Sequence, residues 1–346
     1  MKAVVALVLA TLMWAGNYVV GGIVVEFMSP VELTWFRWLL AAIPLLVLAH
    51  VLERPRWRAV LAEWPRLLIL AVLGVGAYTL LLYSALQFTT ALSASLINAA
   101  NPAVMAVLSA ILLRERIGWR GAAGLLLGLV GVLLVITDGA LSVLFSNGLN
   151  PGDVMMVGAI LVWSLYTILG RGLSAPPVTA TAVQAVFTVV LLAPVVLVTG
   201  AHWPQRADAL SALLFIAIFP SIGAYALWNL ALTRVTPGRA GLFLNLITVF
   251  TVIISVAMGA RLAATDVVGG LLVFAGVALS SLRRKPAEPV DSAEMVGKPS
   301  GNDSSTSAGG SRSPVGPGGP AVPDGGEVRA ARAGGASVVP DPGVTR

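Results

Sequence analysis

Tyr83-Ser84-Ala85-Leu86-Gln87-Phe88-Thr89-Thr90, an apolar run from Ala91 to Leu113, and then Arg114-Glu115-Arg116 decide how the rest of this chain is read. The run is long enough to cross a bilayer as a helix, which takes about 20 apolar residues. Its middle nevertheless holds Asn98-Ala99-Ala100-Asn101-Pro102. Pro102 has no N–H, so the carbonyl of residue 98 loses its helical partner and the helix should bend there. Ser95, Asn98 and Asn101 recur at every third position and share one side of that helix. Polar side chains and a freed carbonyl are costly in hydrocarbon, so they should face a cavity or another helix, where a small molecule could be held.

The composition around this stretch is that of a membrane protein. Hydrophobic residues make up 57% of the 346, charged residues 11%, and the mean hydropathy is +0.90. There is no cysteine, which excludes disulfides, thiolate metal sites and thiol nucleophiles. The formal charge of +6 does not point to nucleic acid, because the basic residues sit between apolar runs rather than along one face. Arg far outnumbers Lys, as in a GC-rich bacterial genome.

Ten apolar segments of bilayer-spanning length are expected, at 3–25, 31–52, 66–86, 91–113, 119–137, 152–172, 178–199, 209–232, 239–260 and 265–282. Trp14, Asn17 and Tyr18 interrupt the first and argue against a cleaved signal peptide. Between the segments, one set of loops and ends holds Lys2, Arg54, Arg56, Arg58, Arg66, Arg114, Arg116, Arg120, Arg171, Arg234, Arg239, Arg283, Arg284 and Lys285, and the other only Arg206 and Arg261. By the positive-inside rule both termini are expected in the cytoplasm. Residues 286–346, rich in Gly, Pro, Ser and Ala, bury too little apolar surface to order and are read as a disordered cytoplasmic tail.

The chain also repeats itself. Trp14-Ala15-Gly16-Asn17-Tyr18 with Gly21 returns loosely as Trp163-Ser164-Leu165-Tyr166-Thr167 with Gly170, 149 positions later. Gly76-Ala77-Tyr78 returns as Gly223-Ala224-Tyr225, Ala85-Leu86 as Ala231-Leu232, and Gly124 and Gly131 as Gly270 and Gly276. Each copy holds five spans, an odd number, so the second must enter the membrane the opposite way round. The expected fold is an all-α membrane protein of ten transmembrane helices in two inverted five-helix repeats. The first covers 1–138, a periplasmic linker 139–151, the second 152–285 and the tail 286–346. Inverted repeats of this kind are a transporter signature, with the substrate near the midplane where the copies meet.

These residues, in this order and duplicated, resemble the EamA-type transporters of the drug/metabolite transporter superfamily over roughly residues 3 to 283. The likeness rests on Trp14-Ala15-Gly16-Asn17, Ser29-Pro30 with Phe36-Arg37, Tyr83-Ser84-Ala85-Leu86, Asn101-Pro102 with Glu115, and the glycines of the fifth span. In the second copy it rests on Trp163, Leu227-Trp228-Asn229-Leu230-Ala231-Leu232 and Arg239. The resemblance implies a ten-helix carrier of the bacterial inner membrane, often an exporter of amino acids, related metabolites or drugs. The second copy departs from the pattern. Thr248 or a neighbour stands for the proline of the fourth helix, Arg261 for Glu115, and Gln184 lies roughly where a second Arg37 would fall.

The candidate substrate-binding set is Trp14, Asn17, Arg37, Tyr78, Tyr83, Asn98, Asn101, Trp163, Tyr166, Tyr225, Trp228 and Asn245, with Pro102 as the kink and Glu115 as an inner gate. Arg37 can hold a substrate carboxylate in its planar fork, pair with Glu32 or Glu26 near the rim, or snorkel outward. The central aromatics and amides either line a cavity or make interhelical hydrogen bonds. Trp35, Trp38, Trp57, Trp64 and Trp119 fit an interfacial belt better, and His50 a rim position. Glu115 stands among Arg114, Arg116 and Arg120, where a gate-locking ion pair and an exposed pair of little weight are both open.

Absences narrow the chemistry. No Asp or Glu falls mid-span, no phosphate-binding loop is present, and no cluster suits a metal or a nucleophile with its base. No cofactor is expected; the expected partners are a small-molecule substrate, the lipid bilayer and, as an open matter, a second copy in a homodimer. A cavity with few fixed charges suits neutral, zwitterionic or amphipathic solutes, carried by alternating access. A membrane-embedded lipid-modifying enzyme and a non-transporting scaffold are the alternatives.

Overall fold

A computed structural model describes residues 2–114, 119–140, 149–200, 202–232, 234 and 243–281. Glu115, Arg239 and the tail from 286 lie outside the described residues. The described residues form helices and no strand. The membrane helices are α1 (Lys2–Val24), α2 (Pro30–Leu52), α3 (Trp64–Ala85), α4 (Ala91–Leu112), α5 (Trp119–Ile136), α6 (Pro151–Leu169), α7 (Pro177–Thr199), α8 (Ala207–Ala231), α9 (Asn245–Ala257) and α10 (Ala264–Ser281). The first eight are long and apolar enough to cross a bilayer, and α9 and α10 are shorter apolar helices. A short helix, Trp57–Ala62, precedes α3 and was not expected from the sequence.

Local chemistry sets where the helices begin. Ser29 caps α2 by accepting the Glu32 N–H, while the Glu32 carboxylate accepts the Ser29 N–H, and Pro30 takes the first turn, where a missing N–H costs nothing. Thr90 caps α4 through the Ser93 N–H. Asn150 accepts the Gly152 N–H at the start of α6, and its amide donates to the Phe88 carbonyl at 2.9 Å, tying the end of α3 to that start. The first turn of α7 is capped from a distance. Glu53, just past α2, accepts the Val178 N–H at 2.9 Å, the Thr179 N–H at 2.7 Å and the Thr179 hydroxyl at 2.6 Å. A carboxylate there satisfies orphan donors and meets the positive end of the helix dipole.

α4 is not continuous. It runs as Ala91–Asn98 and Asn101–Leu112 with a turn at Ala99–Ala100, which is the break expected from Pro102.

The two halves are related by geometry as well as by motif. α3 and α8 each contain a seven-residue π-helical stretch, Ala71–Ala77 and Ala217–Gly223, 146 positions apart. α2 packs on α7, its counterpart in the other half, and α5 on α10. At the second seam the backbones touch: a Cβ on Gly131 would lie 2.6 Å from the Gly269 carbonyl, and one on Gly276 would lie 2.4 Å from the Gly124 carbonyl. These contacts are reciprocal, Gly131 meeting the equivalent of Gly124 and Gly124 the equivalent of Gly131, as a two-fold axis between like elements requires. They make Gly269, one position before Gly270, the counterpart of Gly124.

An apolar core fills the half of the bundle where α2, α4, α6 and α8 begin. Val24, Met28, Leu33, Phe36, Leu82, Leu86, Ile97, Met156, Ile160, Leu213 and Ile216 belong to one buried cluster there. That plug leaves the polar side chains deeper in the bundle.

Candidate functional site

Between the two halves lies a cavity of about 260 Å³. Its walls carry Trp14, Asn17, Arg37, Tyr78, Asn98, Asn101, Pro102, Trp163, Tyr225 and Asn245 from the expected set, together with Tyr18, Thr79, Ala99, Met105, Leu244, Ile247 and Val277. The space holds roughly nine waters at about 30 Å³ each, enough for a solute on the order of ten non-hydrogen atoms.

The aromatic walls are paired across the halves. Trp14 of the first half meets Tyr225 of the second edge-on at 5.6 Å, and Trp163 of the second meets Tyr78 of the first at 4.8 Å. Each is a Trp against the Tyr of the other copy, so the cavity is bounded by two versions of one contact. Trp228 and Tyr166 do not line it; they stand behind the first row, Trp228 against Trp14 at 5.4 Å and Tyr166 against Trp163 at 5.1 Å.

The break in α4 supplies the amides. Asn101, on the cavity wall, accepts a hydrogen bond from Ser164 of α6 at 3.0 Å. Asn98 lines the same wall with a buried side-chain oxygen that has no hydrogen-bond partner among the described residues. An orphaned buried acceptor costs about 1–3 kcal/mol unless water or a ligand reaches it. Ser95, on the same side of α4, is fully buried and turns its hydroxyl to the Leu92 carbonyl, so it is structural. Thr248 of α9 donates to the Ser95 carbonyl at 2.8 Å and stitches α9 to α4.

Arg37 is the charge of the site. It is the eighth residue of α2, about 10 Å along the helix axis from its start at 1.5 Å per residue, and only 3% exposed. Its Nε donates to the Ser221 hydroxyl at 2.7 Å, and one terminal nitrogen donates to Tyr83 Oη at 2.5 Å and to Asn17 Oδ1 at 3.2 Å. Tyr83 in turn donates to Asn17 Oδ1 at 2.8 Å. Ser221 sits in the π-helical stretch of α8, where its hydroxyl reaches the Ile216 carbonyl. The guanidinium lies 4.8 Å from the Trp38 ring centroid.

Every one of these partners is neutral. Glu32 is committed to the α2 cap and to the His202 N–H, and no carboxylate lies within ion-pair distance of Arg37 among the described residues. The rim pairing and snorkelling readings of Arg37 therefore have no counterpart in the structure. Tyr83 is fully buried and stands behind the cavity wall, bonded to Arg37 and Asn17, which line it.

Two aromatic readings need correction. Trp38 is not a belt residue: it is completely buried beneath Arg37, because the guanidinium face and Tyr225 give it a dry, aromatic seat inside the bundle. Trp35 is half-buried and donates to the Val189 carbonyl of α7 at 3.0 Å, a helix-to-helix bond rather than an interfacial one. Trp64 and Trp119 are exposed, as a belt requires, and His50 is exposed in the last turn of α2. No signal in the sequence separated Trp38 from Trp64, since both adjoin an arginine-containing segment and only packing distinguishes them.

Comparison with known proteins places the chain among transporters. The sequence profile of the EamA-like transporter family matches residues 1–137 and 150–282. An uncharacterized transporter of Archaeoglobus fulgidus is 30% identical over 288 residues, covering 82% of this chain and 98% of that protein. The uncharacterized transporter YyaM of Bacillus subtilis is 28% identical over 262 residues, covering 74% of this chain and 86% of its own length. Among solved structures, one crystal structure superposes with a TM-score of 0.60 at 21% identity over 82% of this chain and 98% of that one, a likeness of fold.

Proposed function

This chain belongs to the EamA-like transporter family and is a multi-pass membrane transporter, and from that premise we propose that its central cavity carries small amphipathic organic solutes by alternating access, outward from the cytoplasm. The observation that carries this reading is the cavity between the Trp14–Tyr225 and Trp163–Tyr78 contacts, on the axis relating the two copies. A site on such an axis faces either side equally when one half rocks against the other. The apolar core where α2, α4, α6 and α8 begin supports the same reading, since an access cycle needs packing to one side of the site that can close it off. Arginine-rich loops on the side of both termini support a cytoplasmic placement of the ends in the inner membrane.

The test is flux in proteoliposomes loaded with a mixture of cytoplasmic metabolites. A carrier moves solutes unchanged; conversion of lipid or solute without movement would indicate an enzyme, and neither would indicate a scaffold. Asn98→Leu should lower flux severalfold while the yield of folded protein holds, because the substitution removes an orphaned oxygen rather than a bonded one. Unchanged flux in that variant would move the site away from α4.

A further inference from the structure

We infer that the solute is a monocarboxylate, an organic acid of net charge −1 with a flat apolar body, whose carboxylate pairs with Arg37. The inference rests on the carrier reading above and narrows it to one charge class.

Charge balance carries the argument. Among the described residues the cavity wall contains one full charge, Arg37, and no Asp or Glu. A cation buried in a membrane helix is costly, and here only hydroxyls, an amide and aromatic faces offset it. Those contacts occupy Nε and one terminal nitrogen; the other terminal nitrogen makes no hydrogen bond among the described residues. A guanidinium donates from all three nitrogens, so this one keeps a single terminal nitrogen to offer a carboxylate oxygen without giving up Ser221, Tyr83 or Asn17. One positive charge neutralises a monoanion and leaves a phosphate dianion half-compensated.

The same inventory disfavours other classes. A zwitterion brings an ammonium that finds no carboxylate on the wall, and a cation meets repulsion from Arg37 itself. A neutral solute leaves the buried charge as it was. The body of the acid is set by the facing Trp–Tyr contacts, whose flat apolar surfaces suit a ring or planar chain. The orphaned Asn98 oxygen accepts a hydrogen bond from any hydroxyl or N–H the acid carries.

The experiment compares four probes of nearly one size on the purified full-length chain in nanodiscs at neutral pH: phenylacetate, phenylacetamide, phenylethylamine and phenylalanine. Binding is read by calorimetry and uptake by counterflow in proteoliposomes. Phenylacetate is expected to bind the wild-type chain at least about tenfold more tightly than the other three, and Arg37→Gln to weaken it by about 30-fold or more, the usual loss when one partner of a buried charge pair is removed. Arg37→Lys keeps the charge and should retain part of the binding, which separates loss of the ion pair from loss of the fold. Equal binding of acid and amide, preference for the amine or the zwitterion, phenylacetate affinity unchanged in Arg37→Gln, or no binding of phenylacetate would each overturn the inference. The carrier reading stands or falls separately, on whether any metabolite in the mixture crosses.

Discussion

Arg37 and Gln184 occupy the same place in the two halves of this molecule, and the surroundings of each show what the duplication kept and what it changed. Both lie 147 positions apart at the same depth of helices that each run 23 residues from a first-turn proline. Both are almost fully buried. Each meets the polar residue one turn past the equivalent tryptophan: Arg37 donates to Asn17, and Gln184 accepts from Tyr166 at 3.3 Å. The frame is therefore common, while the chemistry is not. The first node is a cation with bonds to Ser221, Tyr83 and Asn17, open to the cavity; the second is a neutral amide with one long bond, absent from the cavity wall. On the proposed reading, symmetry supplies the walls and the means of exposing them alternately, and the single asymmetric charge gives the site a direction in which to hold a solute.

The largest effect should come from making the halves alike at the wrong place. Gln184→Arg would bury a second cation where the native side chain is bonded only to the Tyr166 hydroxyl among the described residues. The expected loss is about 3 kcal/mol or more, seen as failure to recover folded protein in the membrane fraction. Normal yield and melting temperature would mean that the two nodes are less different than described.

A control on the symmetric parts comes next. Gly131→Ala and Gly276→Ala place a Cβ 2.6 and 2.4 Å from a facing carbonyl oxygen. Each is expected to lower stability by about 2 kcal/mol, within the range for overpacked contacts, and the two thermal midpoints should agree. A large disagreement would break the claim that these glycines are equivalents.

The smallest pair sharpens the comparison at the nodes. Tyr83→Phe strips one hydroxyl from both Arg37 and Asn17 and should cost about 1–2 kcal/mol, whereas Tyr166→Phe removes one weak bond and should cost under about 1 kcal/mol. Thermal unfolding of the two variants side by side would show the order, and a reversal would place the better-bonded node in the second half.

Much of this was legible in the residues alone. Length and apolarity located the helices, Pro102 located the break in α4, and an odd number of spans per copy required inversion. Asn17, Arg37, Asn98 and Asn101 stood out because polar groups in hydrocarbon need a reason. What the sequence withheld depends on rotation about the helix axis. Tyr83 and Tyr78 differ by five positions, and only packing puts one behind Arg37 and the other on the wall. The π-helical stretches were equally hidden, since Ala71–Ala77 and Ala217–Gly223 share position but little sequence. Trp38 read as interfacial because its burial depends on α8, whose Tyr225 lies far along the chain.

The bare contact between α5 and α10 limits how this molecule can move. With carbonyls set where side chains would normally cushion the approach, an axial slide of either helix drives Val135 or Val273 into the opposing main chain. The seam resists sliding, and on the proposed alternating-access reading it is the fulcrum about which the remaining helices turn.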